Sequence, residues 1–136
     1  MTPMSRSTLC ALLLLGSGWA FAGDVKVQLA GDHEVPPVTT AATGSGTITV
    51  ADDKSVSGSV TTKGVNGIAA HIHQAAAGKN GPPIIALEKT AEGTWSVPKG
   101  SKLSDEQYAA FKAGELYVNV HSADHKGGEI RAQLKP

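Results

Sequence analysis

The sequence predicts an all-β fold, an antiparallel β-sandwich or barrel of about seven strands with one short helix. Three observations predict it. Short runs of period two recur along the chain, they are broken by Gly, Pro, Asn and Asp, and a single segment between residues 104 and 114 carries helix signals instead. Alternation of apolar and polar residues marks half-buried strands, and the breakers mark the tight turns between them. Strands this short and this closely spaced suit a sandwich or barrel.

The first 22 residues are set apart from that pattern. Arg6 precedes the apolar run Leu9 to Leu15, and Ala20-Phe21-Ala22 supplies a small-residue stop, which together predict a secretory signal cleaved after Ala22. The run is interrupted by Gly16, Ser17 and Gly18, and it falls short of the roughly 20 apolar residues that span a bilayer. Cys10 lies ahead of most of the apolar run, where it cannot be a lipidated first residue. Residues 23–136 are then one domain, periplasmic or secreted and not inserted in a membrane. The leader takes with it the one Cys and both Met, so no disulfide supports the remaining chain. Losing Arg6 also leaves the 12 acidic residues one ahead of the basic ones. A near-neutral chain of this kind is not steered toward nucleic acid.

The predicted strands follow in order. Val25, Val27 and Leu29 alternate with Asp24, Lys26 and Gln28; Thr47 to Val50 and Val56 to Thr62 are joined through the turn Ala51-Asp52-Asp53-Lys54. Gly67 to His73, Ile84 to Glu88, Glu115 to His121 and Glu129 to Leu134 complete the set. The helix is placed at Asp105 to Ala113, with Ser104 as N-cap, Gln107 closing a capping box, Leu103 against Tyr108 as a hydrophobic staple and Gly114 as terminator. Tyr108 and Phe111 are expected to pack inward, making the helix a plug over one end. Pro36-Pro37 and Pro82-Pro83 belong at strand ends or edges, since proline cannot donate to a ladder.

Five histidines, at 33, 71, 73, 121 and 125, carry the candidate chemistry. Residues two apart in a strand share a face, so His71 and His73 project together while Ile72 points to the core. In Leu116 to His121 the apolar phase leaves Tyr117, Asn119 and His121 on the other, outer face. A hairpin across Ser122 to Gly128 sets Asn119 against Arg131 and His121 against Glu129. If the two histidine strands are neighbours, His71, His73, His121 and Glu129 converge as a set for Cu(II), with Zn(II) as the alternative. Absence of Met and Cys argues against a Cu(I) site. The new terminus Gly23-Asp24-Val25 lacks the histidine of a terminal copper chelate, and His33 and His125 fall in loops. The plainer reading makes these histidines solvated or hydrogen-bonded structural groups.

Catalysis has less support. Ser122 adjoins His121 but faces the opposite way, and no glycine-framed serine suggests a nucleophile elbow. Glu34, Glu88 and Glu129 show no acid/base spacing.

Taken together, several motifs resemble the CHRD (chordin-type) domain: Leu29-Ala30-Gly31, Glu34-Val35-Pro36-Pro37, Gly44-Ser45-Gly46, Ala70-His71-Ile72-His73, Gly78-Lys79-Asn80-Gly81-Pro82, Gly114 through His121, and Gly127-Gly128-Glu129-Ile130-Arg131. The resemblance implies a β-sandwich or barrel of a kind that, in chordin-like proteins, belongs to extracellular ligand-binding assemblies; the chain itself is read as a binding module and not an enzyme. His33 and Ala132 depart from the family pattern. The reading is an exported module whose histidine face coordinates a divalent metal, copper before zinc. The alternatives are a structural or protein-interaction domain meeting an unknown extracytoplasmic protein and, less favoured, a metal-dependent enzyme.

Overall fold

The computed structural model describes residues 23–136, so the expected secretory signal and its cleavage after Ala22 lie outside the described residues. The chain forms nine antiparallel strands and one α-helix: β1 Gly23–Ala30, β2 Thr43–Val50, β3 Val56–Lys63, β4 Gly67–Gln74, β5 Pro83–Ala86, β6 Glu88–Ala91, β7 Thr94–Ser96, α1 Asp105–Lys112, β8 Leu116–Ser122 and β9 Ile130–Leu134. They make one sheet in the order β5-β4-β8-β9-β1-β2-β3-β7-β6. The two edge strands are consecutive in the chain. Leu87 between them donates its N–H to Ala70 O of β4 at 2.9 Å, which draws the sheet round into a nearly closed barrel.

Two strands exceed the seven expected. The run Ile84 to Glu88 divides at Leu87 into β5 and β6, and β7 centres on Trp95, whose neighbours are polar. A barrel seam needs such short pieces, and three or four residues are too few to show a period. Pro83 opens the edge strand β5, where its missing N–H costs no ladder bond.

The interior is built by the apolar phase. Val25, Val27, Leu29, Ile48, Val50, Val60, Ile72, Val118, Val120, Ile130 and Leu134 are all buried in one cluster, with Trp95 among them. Each such side chain contributes about 1.5–3 kcal/mol by leaving water. The helix closes one end. Ser104 accepts from Gln107 N at 3.1 Å and Gln107 Oε1 accepts from Ser104 N at 2.9 Å, so the capping box is complete. Lys54 pairs with Asp105 in the first turn. Phe111 and Leu103 are buried while Tyr108 packs partly against the cluster, and Phe111 lies beside Gly23 at the start of β1. The helix ends at Lys112, ahead of Gly114 at φ +74.

The outward phase of β4, β8 and β9 is not solvated, contrary to the outer face expected for it. Every residue of β8 is buried. Two loops, 31–42 and 75–82, lie over this face. Asn80 Nδ2 donates to Val35 O at 2.8 Å, Gln133 Nε2 donates to Ala75 O at 2.9 Å, and Arg131 donates to Lys79 O at 2.6 Å and Asn80 Oδ1 at 3.1 Å. The sheet therefore carries an apolar layer inside the barrel and a polar layer beneath the loops.

Candidate metal centre

The histidines sit in this polar layer. β4 and β8 are neighbours, as the convergence of the histidines requires, with His71 opposite Asn119, His73 opposite Tyr117 and Ala69 opposite His121. His121 is thus diagonal to His71 on the shared face. Ring centroids are 5.6 Å apart for His71 and His73, 4.9 Å for His71 and His121, and 5.8 Å for His73 and His121. One nitrogen from each ring falls in a group whose members all lie within 4.8 Å of one another.

Hydrogen bonds fix which nitrogens face inward. His73 Nδ1 lies 2.9 Å from Gly81 O and His121 Nδ1 lies 2.8 Å from Lys126 O. A carbonyl only accepts, so both Nδ1 atoms carry the proton and both Nε2 atoms present a lone pair. His71 Nδ1 is 3.0 Å from His121 Nε2 and donates to it. Burial, reinforced by the charges of His121 and His73, lowers the pKa of His71. Burial lowers that of His73 as well, helped by His121 and Arg131 and opposed by the hydrogen bond to Gly81 O and by the nearby Asn119 amide. Both shifts favour the neutral ring, the state a metal needs. Backbone carbonyls on the far nitrogens are the support that orients metal-ligating imidazoles.

Glu129 does not join the group. Its carboxylate accepts from Ser122 Oγ and from Thr40 Oγ1, each at 2.8 Å. The register is the expected one, with Asn119 opposite Arg131, but the ladder ends at Val120 with Ile130. Beyond that pair strand alternation no longer governs where Glu129 points. His33 also stays away, donating from Nδ1 to Arg131 O at 3.1 Å. His125 lies in the turn that Ser122 caps and is outside the group.

The surrounding residues were partly invisible to sequence reasoning. Tyr117 is stacked on His73 at 4.7 Å with 3° between the planes, and Arg131 Cζ stands 3.4 Å from the Tyr117 centroid on that ring. Glu34 is buried near Asn119 and Arg131, and desolvation raises its pKa to about 7 against the opposing pull of Asn119 and Arg131. Gly128, at φ +122, backs this cluster: a side chain there would collide with the Glu34 carboxylate and the Asn119 amide. The signal for Tyr117 and Asn119 was their phase with His121; nothing local announced that loops would bury them.

The three imidazoles form a group with the spacing to hold a metal ion. Among the described residues no helix is long and apolar enough to cross a membrane. The family model described as CHRD domain matches residues 25–134. Comparison with curated proteins and with solved structures found no match. With that match spanning β1 to the end of β9, the chain belongs to the CHRD domain family.

Proposed function

We propose that this domain is an exported binding module, periplasmic or secreted, that holds one divalent transition-metal ion on His71, His73 and His121, Cu(II) before Zn(II). The observation that carries the reading is the inward convergence of three ring nitrogens within 4.8 Å, two of them with the opposite nitrogen committed to a carbonyl. Copper precedes zinc because Cu(II) stands highest among first-row divalent ions at nitrogen and oxygen sites. Residues 23–136 contain neither thiol nor thioether, the soft ligands that select Cu(I). Membership in a family of non-enzymatic binding or structural domains supports a holding role over turnover.

The test is titration of metal-free residues 23–136 with Cu(II) and Zn(II) in a non-chelating buffer, followed by calorimetry and melting temperature. One-to-one binding is expected, and a ligand at a hundred times its Kd stabilises by about 2.7 kcal/mol. The double variant His71→Ala/His73→Ala loses both signals; binding unchanged in it rules out the site. A second reading rests on the 3.0 Å contact between His71 and His121: the rings form a hydrogen-bonded patch that stiffens the sheet or meets an extracytoplasmic protein. On that reading metal leaves the melting temperature unmoved.

A further inference from the structure

Building on that metal-site reading, we infer that Asn119 Oδ1 is the fourth ligand, closing a set of three imidazoles and one amide oxygen around a Cu(II) or Zn(II) ion. Among the described residues, two buried side-chain polar atoms have no hydrogen-bond partner, His73 Nε2 and Asn119 Oδ1. Leaving a buried polar atom unpaired costs about 1–3 kcal/mol, and here both instances fall in one patch. Asn119 is opposite His71 in the ladder, two residues from His121 on the same face, and diagonal to His73. Its amide thus lies at the foot of the histidine triangle, close enough to His73 to favour the protonated ring without forming a hydrogen bond of normal geometry.

The orientation of the amide follows from its other neighbours. Nδ2 faces Glu34 Oε2 at 3.5 Å and Gly127 O at 3.4 Å. Turning the amide over would set Oδ1 against the Gly127 carbonyl, which only accepts. On the other side, His73 has its one proton committed to Gly81 O, so Nε2 offers a lone pair. Two acceptors that lack donors are both satisfied by a cation. An amide oxygen beside three imidazoles is a donor set for a borderline or hard divalent ion and not for Cu(I). Four protein ligands leave no open position, which marks a site that holds its ion and does not activate water.

Zn(II) calorimetry and Cu(II) electron paramagnetic resonance on the wild type, Asn119→Ala and Asn119→Asp test this. Asn119→Ala is expected to weaken Zn(II) by more than the roughly 10- to 100-fold typical of losing an outer-shell partner, and to alter the Cu(II) spectrum. Asn119→Asp, with an anionic oxygen in the same place, binds Zn(II) more tightly than the wild type and shifts the Cu(II) spectrum. If the wild type binds one ion but Asn119→Ala changes neither Kd nor spectrum, the two lone pairs are bridged by water and the inference fails while the three-histidine site stands. Should Asn119→Ala not fold, an Asn119→Asp protein with wild-type affinity and spectrum overturns it equally. A wild type that binds no ion removes both the site and its fourth ligand.

Discussion

Replacing Glu34 by Gln is expected to change how the stability of the metal-free protein depends on pH. Glu34 is 4 % exposed, and burial lifts its pKa from 4.5 to about 7. A carboxyl that holds its proton more tightly folded than unfolded contributes stability below the unfolded pKa, and loses it as pH rises through the folded one. The window is therefore pH 4.5 to 7. The distance from 4.5 to about 7, at about 1.36 kcal/mol per pH unit, sets the ceiling near 3 kcal/mol. The histidines act in the opposite sense: His71 and His73 have lowered pKa values, and their contribution is lost as pH falls through 6.5 and below. Wild-type stability alone mixes the two. The difference between wild type and Glu34→Gln isolates the carboxyl, because the histidines are common to both. Urea unfolding at half-unit steps from pH 4.5 to 8 should show Gln gaining on Glu steadily up to neutral pH, by as much as about 3 kcal/mol. A difference that stays constant over that range would refute the claim that Glu34 is buried and protonated near neutrality.

Gly128→Ala places a side chain against Glu34 and Asn119 in a left-handed backbone conformation, and should cost on the order of 1–3 kcal/mol in denaturant unfolding. An equally stable Ala variant would mean that the polar layer is looser than drawn. Ser104→Ala removes the oxygen that caps Gln107 N; a loss of about 1 kcal/mol is expected from the same measurement, without effect on metal affinity.

The apolar layer was legible because period two is a property of the chain itself. Val25, Val27 and Leu29 declare their face within five residues, and the histidine pair in Ala70-His71-Ile72-His73 declares its own. The N-cap, capping box and terminator of α1 are likewise local, and the helix is where they put it. What escaped was set by contacts distant in sequence. Asn80 reaches Val35 and Arg131 reaches Lys79, and only these cross-chain bonds turn an expected outer face into an interior. β6 and β7 escaped because a four-residue strand with every residue exposed and a three-residue strand with one buried side chain are too short to show a period. Glu129 shows the limit of register reasoning: its position along the chain was as expected, but past the last ladder pair its side chain answers to Thr40 and Ser122.

The polar layer asks why a sheet already stabilised by one core should bury Glu34, Asn119, His73, His121 and Arg131 in a second. Buried charge without a close ion pair is costly, and apolar residues of similar volume often serve stability better. Among the described residues Arg131 has no carboxylate within ion-pairing distance; its hydrogen bonds go to Lys79 O and Asn80 Oδ1 and its plane rests on Tyr117. This arrangement makes physical sense as preparation of His73. Tyr117, sandwiched between Arg131 and His73, restricts rotation of the imidazole, and Gly81 fixes its tautomer. The positive charge of Arg131 beyond Tyr117 helps keep the ring unprotonated. On the proposed metal-holding role, each of these contacts orders a lone pair in advance of its ligand, lowering the entropy lost when an ion arrives. Among the described residues His73 Nε2, the atom these contacts aim, has no protein partner, which the metal-holding reading requires and a layer kept only for stiffness does not.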